Sequence, residues 1–422
     1  MKGLRVVHLV HDYPPEFTGG TERYLSDLVA LQKEAGLQVS IICGSELRDD
    51  AVAAVDATWR GVEVRRVFRR HDELFGVEFL PRRTMGEVTR EVRARAPDLV
   101  HLHHWLNLGD EVLAALAPLP AVASFHDAYA GCPRVFFLRP DGFFCGGALP
   151  VPVERCVECL EPDDGLPRLR ERVVARRERF EREIGRLAAA LAPSEYHADL
   201  LVRAGVVPRE KVRALPLGIA RAPQRAVHKS NPGKLRLVTF GHLSRLKGLD
   251  LVLEAMRPLA ARGGIELHCY GSPLGKETAP LRAAAAGLPV TWHGDYDLDA
   301  LALAAAELDL ALFPSRAHET YSLVLEEAIA LGLPVIVSDR GAPPRRIGAV
   351  GRDDSSGSFG RAVAVEDSSA LRATLAELMD HPERLDAMRR ALPAAPHLLA
   401  DHERALREIY AEAIASGPGA RA

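Results

Sequence analysis

The chain has 422 residues, with 54 Lys and Arg against 57 Asp and Glu, a formal charge of −3 at pH 7. A single core seldom spans more than about 100–200 residues, so the length argues for two domains and a cleft between them. The near-cancelled charge excludes a general pull toward nucleic acid or an anionic membrane, and six cysteines are too few for a disulfide scaffold.

Met1-Lys2-Gly3 leads straight into strand LRVVHLVH (4–11), with no signal peptide and no apolar run of membrane-spanning length, so a cytoplasmic chain is expected. Loop DYPPEFTGGT (12–21), helix ERYLSDLVALQKEAG (22–36) and strand QVSIICG (38–44) complete a β-α-β opening. The strands are runs of branched apolar residues without alternation, as in a parallel sheet covered on both faces. VEVRRV (62–67), a helix near 84–95, DLVHLHH (98–104), AVASFH (121–126) and AAALAPS (188–194) extend it. A Cys-rich insertion at about 127–165 interrupts the series and leads into a helix dense in Arg and Glu, roughly 167–190, which reads as a solvated face.

The stretch 212–235, with three prolines, reads as an interdomain linker. A second alternating series follows: strands 235–240, 265–271, 290–294, 308–315 and 334–339, with helices 249–262, near 275–286, 298–307 and 323–331 between them. Helix 402–415 closes the chain. The expected class is α/β, with two doubly wound Rossmann-like domains: 1–220, and 221–395 followed by a tail 396–422. Such sheets bind ligands outside the carboxyl ends of their strands, so loops 11–21, 126–134, 241–248, 271–276 and 315–322 are expected to converge.

Two of these loops carry chemistry. GHLSRLKG (241–248) places Arg245 and Lys247 just before a helix N-terminus, where backbone N–H groups and the helix dipole favour a diphosphate. Lys247 precedes Gly248, so the loop is not a P-loop. In HETYSLVLEEAIAL (318–331), Glu319 stands outside the helix and Glu327 nearly two turns inside it, with Thr320 or Ser322 as the cap and Glu326 as the solvated neighbour. Asp295-Tyr296-Asp297 matches a D-x-D metal signature, but Asp297 or Asp299 is better placed to cap the next helix. His126, taken alone, is a satisfied histidine at a strand end.

HETYSLVLEEAIALGLPVIVSD resembles the E-x7-E segment of retaining GT-B glycosyltransferases of family 4, and GHLSRLKG resembles their G-R-L-x-x-x-K-G loop. The N-terminal PPEFTGGTERYLSDLVALQKEAGLQVSII and SFHDAYAGCPR are similar to the Gly-Gly-x-Glu loop and the strand-His loop of the same enzymes. The resemblance implies the GT-B fold, two Rossmann-like domains facing across a cleft with the C-terminal helix crossing back to the first. It implies transfer of a sugar from a nucleotide-diphosphate sugar with retention, the leaving diphosphate helping to deprotonate the acceptor, and no metal in catalysis. Carried over, His126, Lys247 and Glu319 are catalytic, with His126 on the transferred sugar and Lys247 on the diphosphate. Glu319 and Glu327 hold sugar and ribose, and Gly19 and Gly20 lie over the phosphates and acceptor. Gly241, His242, Arg245, Tyr321, Ser322 and Leu323 complete the donor site. His242 stands where the family has arginine, with Arg245 the candidate substitute. Thr320, Tyr321 and Ser322 stand where Gly, Phe and Gly are common.

Cys156-x2-Cys159 has zinc-knuckle spacing, and Cys132 and Cys145 could complete a structural zinc site; reduced, buried cysteines are the alternative. Phe136, Phe137, Phe143 and Phe144 read as a local core. The acceptor is a saccharide, a lipid-linked sugar or a small metabolite, no nucleic acid is involved, and peripheral association with the inner membrane face fits a lipid-linked acceptor. Rival readings are a GT-B phosphorylase or epimerase, and a non-catalytic sugar- or nucleotide-binding protein.

Overall fold

A computed structural model describes residues 2–164, 167–229, 233–271, 275–349 and 357–416. The chain divides into two compact units, one formed by Met1–Ala220 with Leu399–Ala422 and the other by Arg221–Leu398.

The N-terminal unit contains β1 (Arg5–Val10), α1 (Gly20–Glu34), β2 (Gln38–Cys43), β3 (Ala54–Trp59), β4 (Val62–Val67), α2 (Arg82–Ala94), β5 (Leu99–Leu102), α3 (Val112–Leu116), β6 (Ala121–Ser124), α4 (Val153–Asp164), α5 (Leu169–Gly185), β7 (Ala189–Ala192), α6 (Glu195–Arg203) and β8 (Val212–Ala214). One eight-stranded sheet runs β3-β4-β2-β1-β5-β6-β7-β8, parallel except where β3 pairs antiparallel with β4. The middle strands are buried along nearly their whole length, which is why their sequences do not alternate. Residues 399–415 form a long helix, α14 in chain order, that packs on α1, β5 and β6.

The C-terminal unit contains β9 (Leu235–Phe240), α7 (Leu249–Ala260), β10 (Ile265–Tyr270), α8 (Thr278–Ala284), β11 (Val290–Gly294), α9 (Leu298–Ala305), β12 (Leu310–Phe313), α10 (Leu323–Leu331), β13 (Val335–Ser338), α11 (Pro343–Arg346), β14 (Gly360–Val363), α12 (Ser369–Asp380) and α13 (Glu383–Arg390). Its six strands are parallel in the order β11-β10-β9-β12-β13-β14. On each side of β9 the order reverses, the switch point at which such sheets bind ligands.

Three expectations need correction. Val212–Ala214, inside the predicted linker, pairs with β7 as an edge strand; residues 230–232 of that linker, and 272–274 of the loop 271–276, lie outside the described residues. The charged helix is not merely a solvated face. Within α5, Arg176 donates to the Tyr129 and Ala130 carbonyls, and the buried Glu183 accepts from the Leu113 and Ala114 N–H groups at 2.9 and 2.7 Å. Burial alone would lift the Glu183 pKa, and those N–H groups, otherwise orphaned at the start of α3, lower it in part. Of the four phenylalanines, Phe137 joins a small core with Ala128, Cys145, Val151 and Leu200, whereas Phe136 and Phe143 are 42% and 50% exposed. Phe144 packs against the same core, so two of the four rings are covered and two face solvent.

Candidate active site

In the C-terminal unit the loop after β9 and the loop after β12 meet. Gly248 has φ +82°, and an added Cβ would collide with the Pro314 carbonyl, so only glycine lets the two loops touch. Arg316 stitches them: it donates to Asp250 Oδ1 at 2.6 Å and Oδ2 at 3.0 Å and to the Arg245 carbonyl at 2.5 Å, while its own N–H reaches the Leu246 carbonyl at 2.8 Å. This arrangement delivers Lys247 Nζ to Glu319 Oε1 at 2.6 Å. A part-exposed pair of this kind contributes only about 0–1 kcal/mol to stability, so its geometry says more about ligand binding than about folding. Burial pushes the Glu319 carboxyl up, but the Lys247 charge and hydrogen bonds from Lys247 and Ser315 outweigh it and hold the group below its usual range. The Glu319 backbone is fixed from behind: at Gly341, φ +79°, an added Cβ would lie 2.5 Å from both Glu319 N and O, and Ala342 N–H donates to that O at 2.8 Å.

Ser322 ends the loop at φ +81°, a left-handed conformation costly for an L-residue, and is the N-cap residue of α10 without a side-chain cap bond. The expected cap by Ser322 is therefore corrected. The strained turn aims the first N–H groups of α10, which a helix leaves unpaired within itself, out of its N-terminus. Tyr321 is buried, its hydroxyl 2.9 Å from His397 Nδ1, and Leu323 is the first residue of α10. Glu327 is buried and accepts from the Tyr296 hydroxyl at 3.0 Å.

Glu326, expected in solvent, is 1% exposed. Arg346 grips it through Nε and Nη2 at 2.7 and 3.1 Å and the His397 N–H donates to it at 2.9 Å. Burial raises its pKa, and the His397 and Arg346 contacts reverse that and hold it at about 2. At Asp297 the side chain accepts from Ala300 N–H at 2.8 Å, so it caps α9, and Asp299 pairs with Arg221. Gly241 has φ +98° and faces Val324. Partial desolvation and the Lys247 charge hold the His242 imidazole below the usual range, so at pH 7 it does not supply the cation of the expected arginine. Arg245 is 66% exposed and lies 3.7 Å from Asp250.

In the N-terminal unit Gly19 is the N-cap residue of α1, and its N–H donates to the buried Glu22 at 2.9 Å; Gly20 is exposed at the first position. Burial lifts Glu22 to about 7, and His11 Nε2 lies 3.3 Å from it. His126 follows β6, its Nε2 3.2 Å from His103 Nδ1, and burial brings it down to about 3. Asp127 accepts from His104 at 3.1 Å and from Tyr129 N–H at 2.8 Å; burial opposes ionisation, but the imidazoles and hydrogen bonds prevail and hold it at about 2. Sequence reasoning missed Glu22, His103, His104, Asp127 and Arg316. The histidines had a signal in HLHH, where residues 101 and 103 must share one face of a strand.

Cys132, Cys145, Cys156 and Cys159 are free thiols lining one cavity with Phe137, Leu138 and Arg139. That donor set suits a thiophilic ion. Tetrahedral bonds of about 2.3 Å would draw the sulfurs to within roughly 4 Å of one another. Among the described residues the ligand atoms gathered within 4.8 Å are instead those of His8, His101 and His103, so the thiols would have to close on the ion.

Two family models match the chain: Glycosyltransferase Family 4 over residues 18–222 and Glycosyl transferases group 1 over residues 234–381. A D-inositol 3-phosphate glycosyltransferase of Pseudarthrobacter chlorophenolicus is 26% identical over 343 residues, 78% of this chain and 76% of that protein. Among solved structures, sucrose-phosphate synthase from Thermosynechococcus elongatus superposes with a TM-score of 0.66 at 17% identity, covering 98% of this chain and 100% of that one. Anabaena HepE in complex with UDP-glucose gives 0.61 at 15% identity, over 97% and 99%. Both share the fold.

Proposed function

Because this chain belongs to glycosyltransferase family 4, within the glycosyl transferases group 1, and has the GT-B fold, we propose that it moves a sugar from a nucleoside diphosphate sugar to a hydroxyl acceptor with retention at the anomeric carbon. The observation that carries this reading is the Lys247–Glu319 pair, 2.6 Å apart, between two touching loops at the strand-order switch of the C-terminal sheet. A cation and a carboxylate presented together match a donor whose diphosphate is anionic and whose sugar offers hydroxyl donors.

In this mechanism Lys247, Arg245 and the N-terminus of α10 take the diphosphate, Glu319 accepts from sugar hydroxyls, and Glu327, steadied by Tyr296, accepts from the ribose. The bond from the anomeric carbon to the phosphate oxygen breaks with its electron pair going to that oxygen. The acceptor oxygen bonds to the same face of the carbon, and its proton passes to the departing phosphate. The protein orients the reactants and stabilises the leaving charge, and catalysis needs no metal. Family resemblance assigns His126 to the transferred sugar, and Gly19 and Gly20 to the phosphates and acceptor.

The D-inositol 3-phosphate glycosyltransferase named above supports a hydroxylated acceptor, whether saccharide, lipid-linked or small metabolite, and the Lys247–Glu319 site supports a nucleotide-sugar donor. Exposed Phe136 and Phe143 favour peripheral contact with a membrane surface when the acceptor is lipid-linked, at the cytoplasmic face. The described residues contain no helix long and apolar enough to cross a membrane. The four cysteines enter as a structural zinc site, apart from the chemistry.

A panel of UDP- and GDP-hexoses scored by thermal shift and by hydrolysis, with and without EDTA, tests this. At least one donor should raise Tm and be hydrolysed at an EDTA-independent rate, and Lys247→Ala should shrink the Tm shift and slow the hydrolysis. If no nucleotide sugar is bound or cleaved, the reading falls; metal analysis of the same sample decides the zinc site.

A further inference from the structure

The strands β1, β5 and β6 are parallel neighbours, so the loops that follow them emerge at one end of the N-terminal sheet. Over residues 11–19, 103–111 and 125–132 these loops carry Asp12, Glu16, Asp110, Glu111 and Asp127 and no lysine or arginine. Arginines that reach this rim from other elements are engaged. Arg66 donates to Asp12 Oδ1 at 3.2 Å, to Glu16 Oε2 at 2.7 Å and to the Tyr13 and Pro14 carbonyls. Arg179 is held by Glu78 and Glu111, and Arg176 by the Tyr129 and Ala130 carbonyls.

Within this rim two carboxyls flank two imidazoles. The His11 and His104 rings lie 4.6 Å apart, with Glu22 Oε1 3.3 Å from His11 Nε2 on one side and Asp127 Oδ2 3.1 Å from His104 Nε2 on the other. Two groups without a choice of role fix the protons around Asp127. The Leu106 N–H can only donate, and it meets His104 Nδ1 at 2.9 Å, so His104 is neutral, carries its proton on Nε2 and donates it to Asp127. The Asp127 carbonyl can only accept, so His197 Nε2, 3.0 Å away, donates to it, while the Tyr129 N–H holds Oδ1 at 2.8 Å. Asp127 is thereby immobilised and ionised, yet each of its oxygens receives one hydrogen bond where two are possible, and 18% of the side chain is exposed. Glu22 is buried, and neither its Oε1 nor the buried Nδ1 of His11 has a hydrogen-bond partner among the described residues. Buried polar atoms are nearly always paired, so unpaired ones beside an immobilised carboxylate mark a place that a polar ligand completes.

We propose that Asp127 receives a hydroxyl of the acceptor, and that the acceptor presents an uncharged polyol at this rim, with no phosphate beside the hydroxyl that takes the sugar. Asp127 directly follows His126, and Glu22 holds the Gly19 N–H, so the two carboxyls border residues that the family resemblance places at the transferred sugar and the acceptor. An ionised carboxylate accepts strongly from hydroxyls. A phosphate brought to the same rim meets like charge, and Arg66, Arg176 and Arg179 are committed elsewhere. In this the chain differs from the relative named for D-inositol 3-phosphate. This acceptor class rests on the transferase reading and narrows it.

Transfer by the intact protein, from the UDP- or GDP-hexose it hydrolyses, is measured by mass spectrometry against matched acceptors. Each hexose, inositol and disaccharide is paired with its phosphate monoester, myo-inositol with D-inositol 3-phosphate among them. Uncharged members should lead by at least about 100-fold in kcat/KM, the scale set by like-charge contact. Phosphate monoesters used equally or better, or no transfer to either set, overturn the proposal. In Asp127→Asn and in Asp127→Ser the ratio of uncharged to phosphorylated acceptor should fall about tenfold, as expected when a charged hydrogen-bond acceptor is replaced by a neutral one. Tyr129→Phe, which loses a bond to the buried Asp110 at 3.0 Å, should lower Tm and leave that ratio alone. Partial misfolding lowers both rates together and cannot move their ratio, so an unmoved ratio in the Asp127 variants overturns the role of Asp127. If no UDP- or GDP-hexose is hydrolysed without acceptor, the transferase reading fails, and the acceptor class is read from thermal shift with the same pairs. Uncharged members should then raise Tm more, and an equal or larger shift with the phosphate monoesters overturns their exclusion.

Discussion

The two sheets solve the same topological problem with opposite electrostatics. At the carboxyl ends of β1, β5 and β6 the N-terminal unit gathers imidazoles that burial keeps neutral, each locked by neighbours that are themselves buried. At the carboxyl ends of β9 and β12 the C-terminal unit keeps full charges: Lys247 with Glu319, Arg316 with Asp250, Arg346 with Glu326. A neutral network fixes where protons and lone pairs point, which suits recognition of hydroxyls. Full charges near solvent suit a diphosphate, whose own charge can exchange with the pairs already present.

The sharpest way to break this comparison is to remove a charge from the pair that is buried. Arg346→Met strands the Glu326 carboxyl, 1% exposed, without its guanidinium partner, and should cost about 3–5 kcal/mol in urea unfolding. If the cost is below about 1 kcal/mol, the pair is ordinary surface chemistry and the contrast drawn here fails. The next largest effect falls on turnover. Lys247→Ala should lower kcat about 10²–10³-fold, in the range of removing one preorganised charge-stabilising donor, while its stability changes by less than about 1 kcal/mol. Loss of stability without loss of rate would make Lys247 structural and sink its catalytic role.

Acid separates the two units by the sign of their linkage. Seven imidazoles of the N-terminal unit, His8, His11, His101, His103, His126, His197 and His402, are held below their usual range, chiefly by burial. Unfolded, each would bind a proton below about pH 6.5, whereas folded it does so only at lower pH, about 4 for His8, His197 and His402. Their contribution to stability is therefore full above about pH 6.5 and is lost as the pH falls toward the folded values. Burial lifts Glu22 to about 7 and Asp12 to about 6, and these act the other way, favouring the fold as pH drops. Burial also raises Asp27, Asp110, Glu183 and Glu403 in the same sense, and these six carboxyls stand against seven imidazoles whose unfolded-state protonation lies inside the window between pH 7 and pH 5. The C-terminal unit has His318 near 4, while Glu326 stays ionised to about 2. Between pH 7 and pH 5, amide exchange corrected for its intrinsic pH dependence should speed up in β1, β5 and β6 before it does in β9 and β12. The reverse order would show that the imidazoles are not neutral in the fold.

Much of this was legible in the chain. Parallel strands buried on both faces leave near-continuous apolar runs, so β1, β5, β6, β9 and β12 could be read directly, and the βα loops bearing Lys247 and Glu319 followed from them. What escaped depends on partners distant in sequence. Glu326 and Glu327 are adjacent glutamates on one helix, and only Arg346, folded back by the short α11, makes the first a buried ion. Tyr410 lies 309 residues from His101, and no local pattern announces that pairing. The antiparallel β3 was missed because VDAT mixes charge with β-branched residues at an edge that solvent still reaches.

The smallest effect tests the boundary of the charged region. Asp295-Tyr296-Asp297 offers two carboxylates at a spacing that can hold a divalent ion, but Asp297 spends its side chain on the Ala300 N–H at 2.8 Å, and the Tyr296 between them donates to Glu327. A carboxylate that caps α9 contributes through one hydrogen bond and the helix dipole, so Asp297→Ala should cost about 1 kcal/mol of stability. Rate and EDTA resistance should be unchanged, and Asp297→Ser should restore most of the loss because a serine can make the same cap. A variant that keeps its stability yet loses turnover, and regains it with added divalent ion, would move this aspartate into the chemistry and make the charge handling at the end of β9 depend on a metal rather than on Lys247 and a helix N-terminus.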